Sequence, residues 1–136
     1  MADIAVTATG VVKGSDAVTT TKIALAAVTA GQVVYLSSTN QVAPHDANSG
    51  VAEVRVAYGI ALNGAAINQP VVVQTAGDIT MGATLGIGIV YLASPTPGGI
   101  MPSADAAIGD MINIIGVGKT AAVMKMTLNA TGIVKA

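Results

Sequence analysis

The 136-residue chain has no cysteine, tryptophan or phenylalanine, a single histidine, and only 10% charged residues. Each shortage removes a class of function. Without cysteine there is no disulfide framework and no thiolate metal site, and one histidine is too few for the usual zinc ligand sets. The six Lys and Arg (Lys13, Lys22, Arg55, Lys119, Lys125, Lys135) are scattered and are balanced by seven acids, for a net charge of -1. No basic stripe exists to meet nucleic acid or an anionic membrane, so neither partner is expected. Long apolar runs are missing as well. The best candidate, "GATLGIGIVYLAS" at 82–94, is short, broken by glycine and β-branched, which predicts a strand and no membrane span. The start, "MADIAVTATG", shows neither a basic nor a hydrophobic leader region, so no secretory signal is expected in it.

What the chain does have is small apolar bulk. Hydrophobic residues make up 52%, mostly Ala, Val and Ile, alongside 16 glycines and three tyrosines. A typical globular chain carries roughly a quarter charged residues. This one has too little charge to coat its own surface, which predicts a subunit that buries its flanks against neighbours as a homo-oligomer.

Helix signals are weak, because Val, Ile, Thr and Gly dominate and apolar stripes of helical period are short. "AVTTTKIALAAVTAG" at 17–31 contains good helix formers at Ala24–Ala27 but reads better as a strand or irregular arm. Strands are predicted at 33–37, 41–43, 54–62, 71–76, 88–93, 99–101, 112–117, 121–128 and 132–135, separated by Gly, Pro, Asn, Asp and Ser. The expected fold is therefore all-β, a compact sandwich or barrel of short strands, with residues 1–28 as an extended N-terminal arm and 29–136 as the body.

An internal repeat organises that body. Tyr35 and Tyr91 lie 56 residues apart, Gly59 and Gly116 57, and Gly77 and Gly132 55. In each copy a strand with Tyr leads through a turn to a short strand ending at Pro44 or Pro102, which predicts two similar halves at 29–79 and 80–136. "ATGVVKG" at 8–14 also echoes "ATGIVKA" at 130–136, as if both ends made edge strands. The arm alternates Ile4, Val6 and Ala8 with Ala5, Thr7 and Thr9, the period of a strand with one apolar side. With no hairpin partner nearby, it is expected to pair with another chain.

Chemistry is sparse. His45 sits beside Asp46 in "APHDANSG", a turn-rich segment that predicts a solvated loop histidine with no nucleophile tied to it. "GVGKT" at 116–120 resembles the end of a phosphate-binding loop, but the glycine that loop requires is replaced by Asn113, which leaves a β-turn with an exposed lysine. The Asn129-Ala130-Thr131 sequon has no secretory context to give it meaning. The tyrosines are expected to pack at strand positions. No catalytic residue, metal or cofactor is expected, and the chain is not expected to be an enzyme.

"GQVVYLSSTNQVAP", "YGIALNGAAINQPVVVQTAGDI" and the stretch from "IVYLASPTPGG" to "NATGIVKA" together resemble the head decoration, or cement, proteins of tailed bacteriophages. The resemblance covers about residues 29–136. It implies a virion structural protein on the capsid surface, made in the host cytoplasm, often trimeric, that stabilises the shell by bridging subunits of the major capsid protein without covalent bonds. In that setting the expected capsid-binding residues are those of the arm: Ala2, Asp3, Ile4, Ala5, Val6, Thr7, Ala8, Thr9, Gly10, Val11 and Val12. The other reading is a tail-fibre or adhesin-like module that recognises a host surface through loops such as "PHDANSG" and "SPTPGG".

Overall fold

The computed structural model describes residues 3–136, and they form an all-β chain. Ten strands are present among them: β1 Val11–Lys13, β2 Val18–Ala24, β3 Val33–Leu36, β4 Gln41–Pro44, β5 Gly59–Ala61, β6 Pro70–Met81, β7 Val90–Ala93, β8 Ile100–Pro102, β9 Met111–Gly118 and β10 Val123–Val134. Single 3-10 turns occur at Ala8–Gly10, Ala52–Arg55 and Ser103–Asp105. β-Branched residues favour the strands, and the tight joints fall where left-handed backbone is tolerated. Asn40 (φ 65°) and Gly98 (φ 76°) hold those conformations in the β3–β4 and β7–β8 turns.

The first five-strand unit closes on itself. β2 runs antiparallel to the first part of β6, from Val18 opposite Ala76 to Ile23 opposite Pro70, and parallel to β4 through Ile23–Gln41 and Ala24–Val42. β4 pairs with β3, β3 with β5, and β5 with β6, completing the ring. Ala24, Val34, Val42, Ala61, Val71 and Val73, from all five strands, fill one buried cluster. Only small side chains fit the interior of so narrow a barrel. The expected arm at 1–28 is corrected here, since Val18–Ala24 is a stave of the first ring. Its partner strand lies far downstream in the chain, too distant to be seen as a local pattern.

The second unit repeats the order of the first. The outer part of β6 pairs with β10, β10 with β9, β9 with β7, and β7 with β8. β6 thus belongs to both units, and the join runs through the strand itself. Gly59 and Gly116 take matching roles. A β-carbon on Gly59 would run into the Gln74 carbonyl of β6, and one on Gly116 into the Lys125 carbonyl of β10. The tyrosines do not match in this way. Val34 faces the first ring's core while Tyr35, next along the strand, faces away from it. Tyr91 instead lies in the large second core with Ala93, Ile100, Ile115, Met124 and Met126. The strands correspond with a one-residue offset in sequence: Tyr91 stands opposite Pro102 and Gly116 as Val34 stands opposite Pro44 and Gly59, so Tyr91 matches Val34 and not Tyr35.

Three predicted strands change shape. Residues 54–62 split into the Ala52–Arg55 turn and the short β5, while 121–128 and 132–135 merge into one bulged β10 with Gly132 at φ 72°. β6 continues through Gly77 and Asp78 because Asp16 supports it. The Asp78 N–H donates to Asp16 Oδ1 at 2.8 Å, and a β-carbon on Gly77 would overlap the Asp16 carbonyl.

Candidate functional site

The N-terminal segment is extended but not free. β1 pairs with the outer part of β6, Val11 opposite Met81 and Lys13 opposite Ile79. Before it, residues 3–7 cross the opening between β6 and β8 as a strap. The Ile4 N–H donates to the Ile100 carbonyl at 2.9 Å and the Thr7 N–H to the Gly82 carbonyl at 2.8 Å. The Ser94 hydroxyl donates to Asp3 Oδ1 at 2.7 Å. Ile4 and Val6 pack on the second core, and Val11 is buried in it.

Of the arm residues expected to meet a capsid, Ala2 lies outside the described residues. Ile4, Val6 and Ala8 are half-buried, whereas Ala5, Thr7 and Thr9 are exposed, as the alternation requires. The apolar side, however, faces the chain's own body. The expectation that this strand needs another chain is corrected, because its partners are β6 and the Ile100 end of β8, both distant in sequence. Val12, at 56% exposure, is the large apolar residue that the segment leaves in solvent.

Three glycines make room for the strap. A β-carbon on Gly31 would overlap Val6, one on Gly82 the Thr7 carbonyl, and one on Gly99 the Asp3 carboxylate. These slot residues were missed in the sequence, where each reads as ordinary turn chemistry.

The second feature is a buried polar node between the units. His45 is fully buried, which corrects the expectation of a solvated loop histidine. Its Nε2 lies 3.1 Å from the Arg55 carbonyl, and Asn113 Nδ2 donates to the same oxygen at 2.8 Å. Asn113 Oδ1 accepts from the Ala57 N–H at 3.1 Å. The proton belongs on Nε2, because the other tautomer would bury an Nδ1–H that has no acceptor. Burial lowers the His45 pKa below its ordinary value, against the smaller opposing effects of the Arg55 carbonyl and the Asp46 charge. The backbone here also ties the loops together. The Gly98 N–H donates to the His45 carbonyl at 2.8 Å, and the Ala47 N–H to the Ser94 carbonyl at 3.3 Å. "PHDANSG" and "SPTPGG" therefore spend polar groups on each other.

"GVGKT" forms the end of β9 and the turn into β10, where Lys119 pairs with Asp78 and the Thr120 hydroxyl accepts from the Ala122 and Val123 N–H groups. Among the described residues, no group of three His, Cys, Asp or Glu side chains is placed to hold a metal. No helix among them is long and apolar enough to cross a membrane.

Compared with known proteins, the sequence matches no family model and no curated protein. The geometry therefore has to carry the functional reading. What it offers is a closed β body, a strap seated in a slot, and a sparsely charged surface bearing apolar side chains.

Proposed function

We propose that the chain is a virion structural protein that decorates the outside of a bacteriophage capsid and stabilises it by non-covalent bridging of major capsid protein subunits. One observation carries this reading. Large apolar side chains stand bare around the body: Ile108 is 81% exposed, Ile87 75%, Ile133 64% and Ile67 60%. Single exposed apolar residues are ordinary, but here they lie on a chain with only 10% charged residues. Ile108 and Ile133 share one end of the molecule, where the Gly109 N–H donates to the Lys135 carbonyl and the Lys135 N–H to the Asp110 carbonyl.

Such a surface suits burial against neighbours, both sister copies, with a trimer favoured, and the shell beneath. Many modest contacts repeated over a capsid add to firm attachment, since loss of one leaves the rest engaged. The adhesin-like reading has no comparable support, because the loops it would use are bonded to each other.

Co-sedimentation with undecorated phage heads tests the proposal. The unaltered chain should pellet with the heads, and Ile108→Asp combined with Ile133→Asp should reduce occupancy at least about tenfold, the equivalent of roughly 1.4 kcal/mol, while its circular dichroism and melting temperature stay unchanged. Failure of the unaltered chain to pellet, or full binding by the variant, would overturn the assignment of this surface.

A further inference from the structure

The two units differ in how the ring is closed. In the first ring, β2 lies directly against β4 and closes the barrel. In the second, β6 has no such contact with β8, and residues 3–7 occupy the space between them. The opening is the width of an extended chain, and Gly31, Gly82 and Gly99 shape it for this particular segment.

We propose that this slot is an exchange site, in which residues 3–7 of a second copy replace the chain's own strap and link copies strap to slot. The occupant is fixed by the fit already seen within one chain. Ile4 and Val6 supply the apolar side, the Ile4 and Thr7 N–H groups supply the main-chain bonds, and Asp3 meets Ser94. An exchanged strap makes these same contacts, so exchange alters the association entropy and leaves the bonding as it was. The hinge is the 3-10 turn Ala8–Gly10, held by a bond from the Gly10 N–H to the Thr7 carbonyl at 2.9 Å, where the strap leaves β1. A tethered strap competes at an effective concentration on the order of millimolar. Exchange therefore grows as free protein approaches that range, or where copies are held side by side.

The absence of cysteine makes a clean test possible. Asp3→Cys and Ser94→Cys are prepared as two single variants carrying tags of different size, and as one double variant. The double variant, oxidised when dilute, should form its disulfide within one chain, which verifies the seating of the strap. The two single variants, mixed near millimolar concentration and oxidised, should give a mixed-tag covalent dimer, because the strap thiol and the slot thiol are then on different chains and meet only between copies. Its yield should rise with protein concentration and exceed that of the same-tag dimers. A mixed-tag yield no greater than the same-tag yields would overturn exchange, and so would a double variant that fails to close within one chain. Because no capsid is present, the result stands apart from that of the head-binding experiment.

Discussion

His45 Nε2 and Asn113 Nδ2 lie 3.3 Å apart and both donate to the carbonyl of Arg55, joining the exit of β4 to β9 across 68 residues of sequence. Neither side chain is exposed. The node holds the Ala52–Arg55 turn against the second unit, so its protonation state bears on how the units stay together.

Stability should accordingly depend on pH through His45. Its folded pKa is lowered by burial, while the unfolded chain takes up a proton near the ordinary value of about 6.5. Above that pH the imidazole is neutral in both states and its contribution is fully present. As pH falls below it, the unfolded state binds the proton first and stability declines, by at most about 1.4 kcal/mol per pH unit, until the lowered folded value is reached. Urea unfolding at a series of pH values between about 7.5 and 5, a range that brackets the ordinary histidine value, should show this slope in the unaltered chain and lose most of it in His45→Gln. Equal slopes in both would remove His45 as the cause.

Much of the architecture was legible in residue order. The two hairpins, their turns and the Gly59 and Gly116 positions follow from β-branched runs punctuated by turn formers. The long-range pairings were not, because nothing local in "VVK" or "VTTTKIA" points to β6 as a partner. The burial of His45 was hidden for a related reason. Its acceptor, the Arg55 carbonyl, is a main-chain group with no sequence signature, and in the sequence Asn113 reads only as a residue that spoils a phosphate loop. The tyrosine match was misleading in detail, since a similar strand sequence can enter a sheet one residue out of step.

That offset gives the two tyrosines different surroundings. The Tyr91 hydroxyl accepts from the Gly86 N–H at 2.8 Å, a bond that the Tyr35 hydroxyl does not reproduce among the described residues. Tyr91→Phe should cost about 1 kcal/mol by leaving that N–H without its acceptor. Tyr35→Phe should change the urea midpoint little. Equal effects would show the rings to be interchangeable.

Glycine substitutions separate space from flexibility. In Gly116→Ala the new methyl would meet the Lys125 carbonyl and the Met124 side chain in the neighbouring strand, for an expected loss of roughly 1–3 kcal/mol. Gly50 has nothing within 4 Å of an added β-carbon and is not in the left-handed region. Gly50→Ala should be neutral or stabilise by about 0.4–1 kcal/mol by restricting the unfolded chain. Thermal melts of the two variants give the comparison directly, and a tolerated Gly116→Ala would mean that β9 and β10 can move apart at this point.

Removing residues 2–12 tests whether the N-terminal segment belongs to the body. A free arm could be deleted without effect on folding. Here the deletion would take away Val11, strip Ile4 and Val6 from the second core, and leave β6 without its β1 neighbour. A fully buried Val or Ile side chain contributes about 1.5–3 kcal/mol, and the two half-buried ones somewhat less. The expected loss is therefore roughly 3–6 kcal/mol, a large share of the usual 5–15 kcal/mol of a domain. The truncated chain should melt well below the full one and bind a hydrophobic dye such as ANS, while a synthetic peptide of residues 1–12 added in excess should restore part of the lost stability. An unchanged melting temperature would return the segment to the status of a dispensable arm.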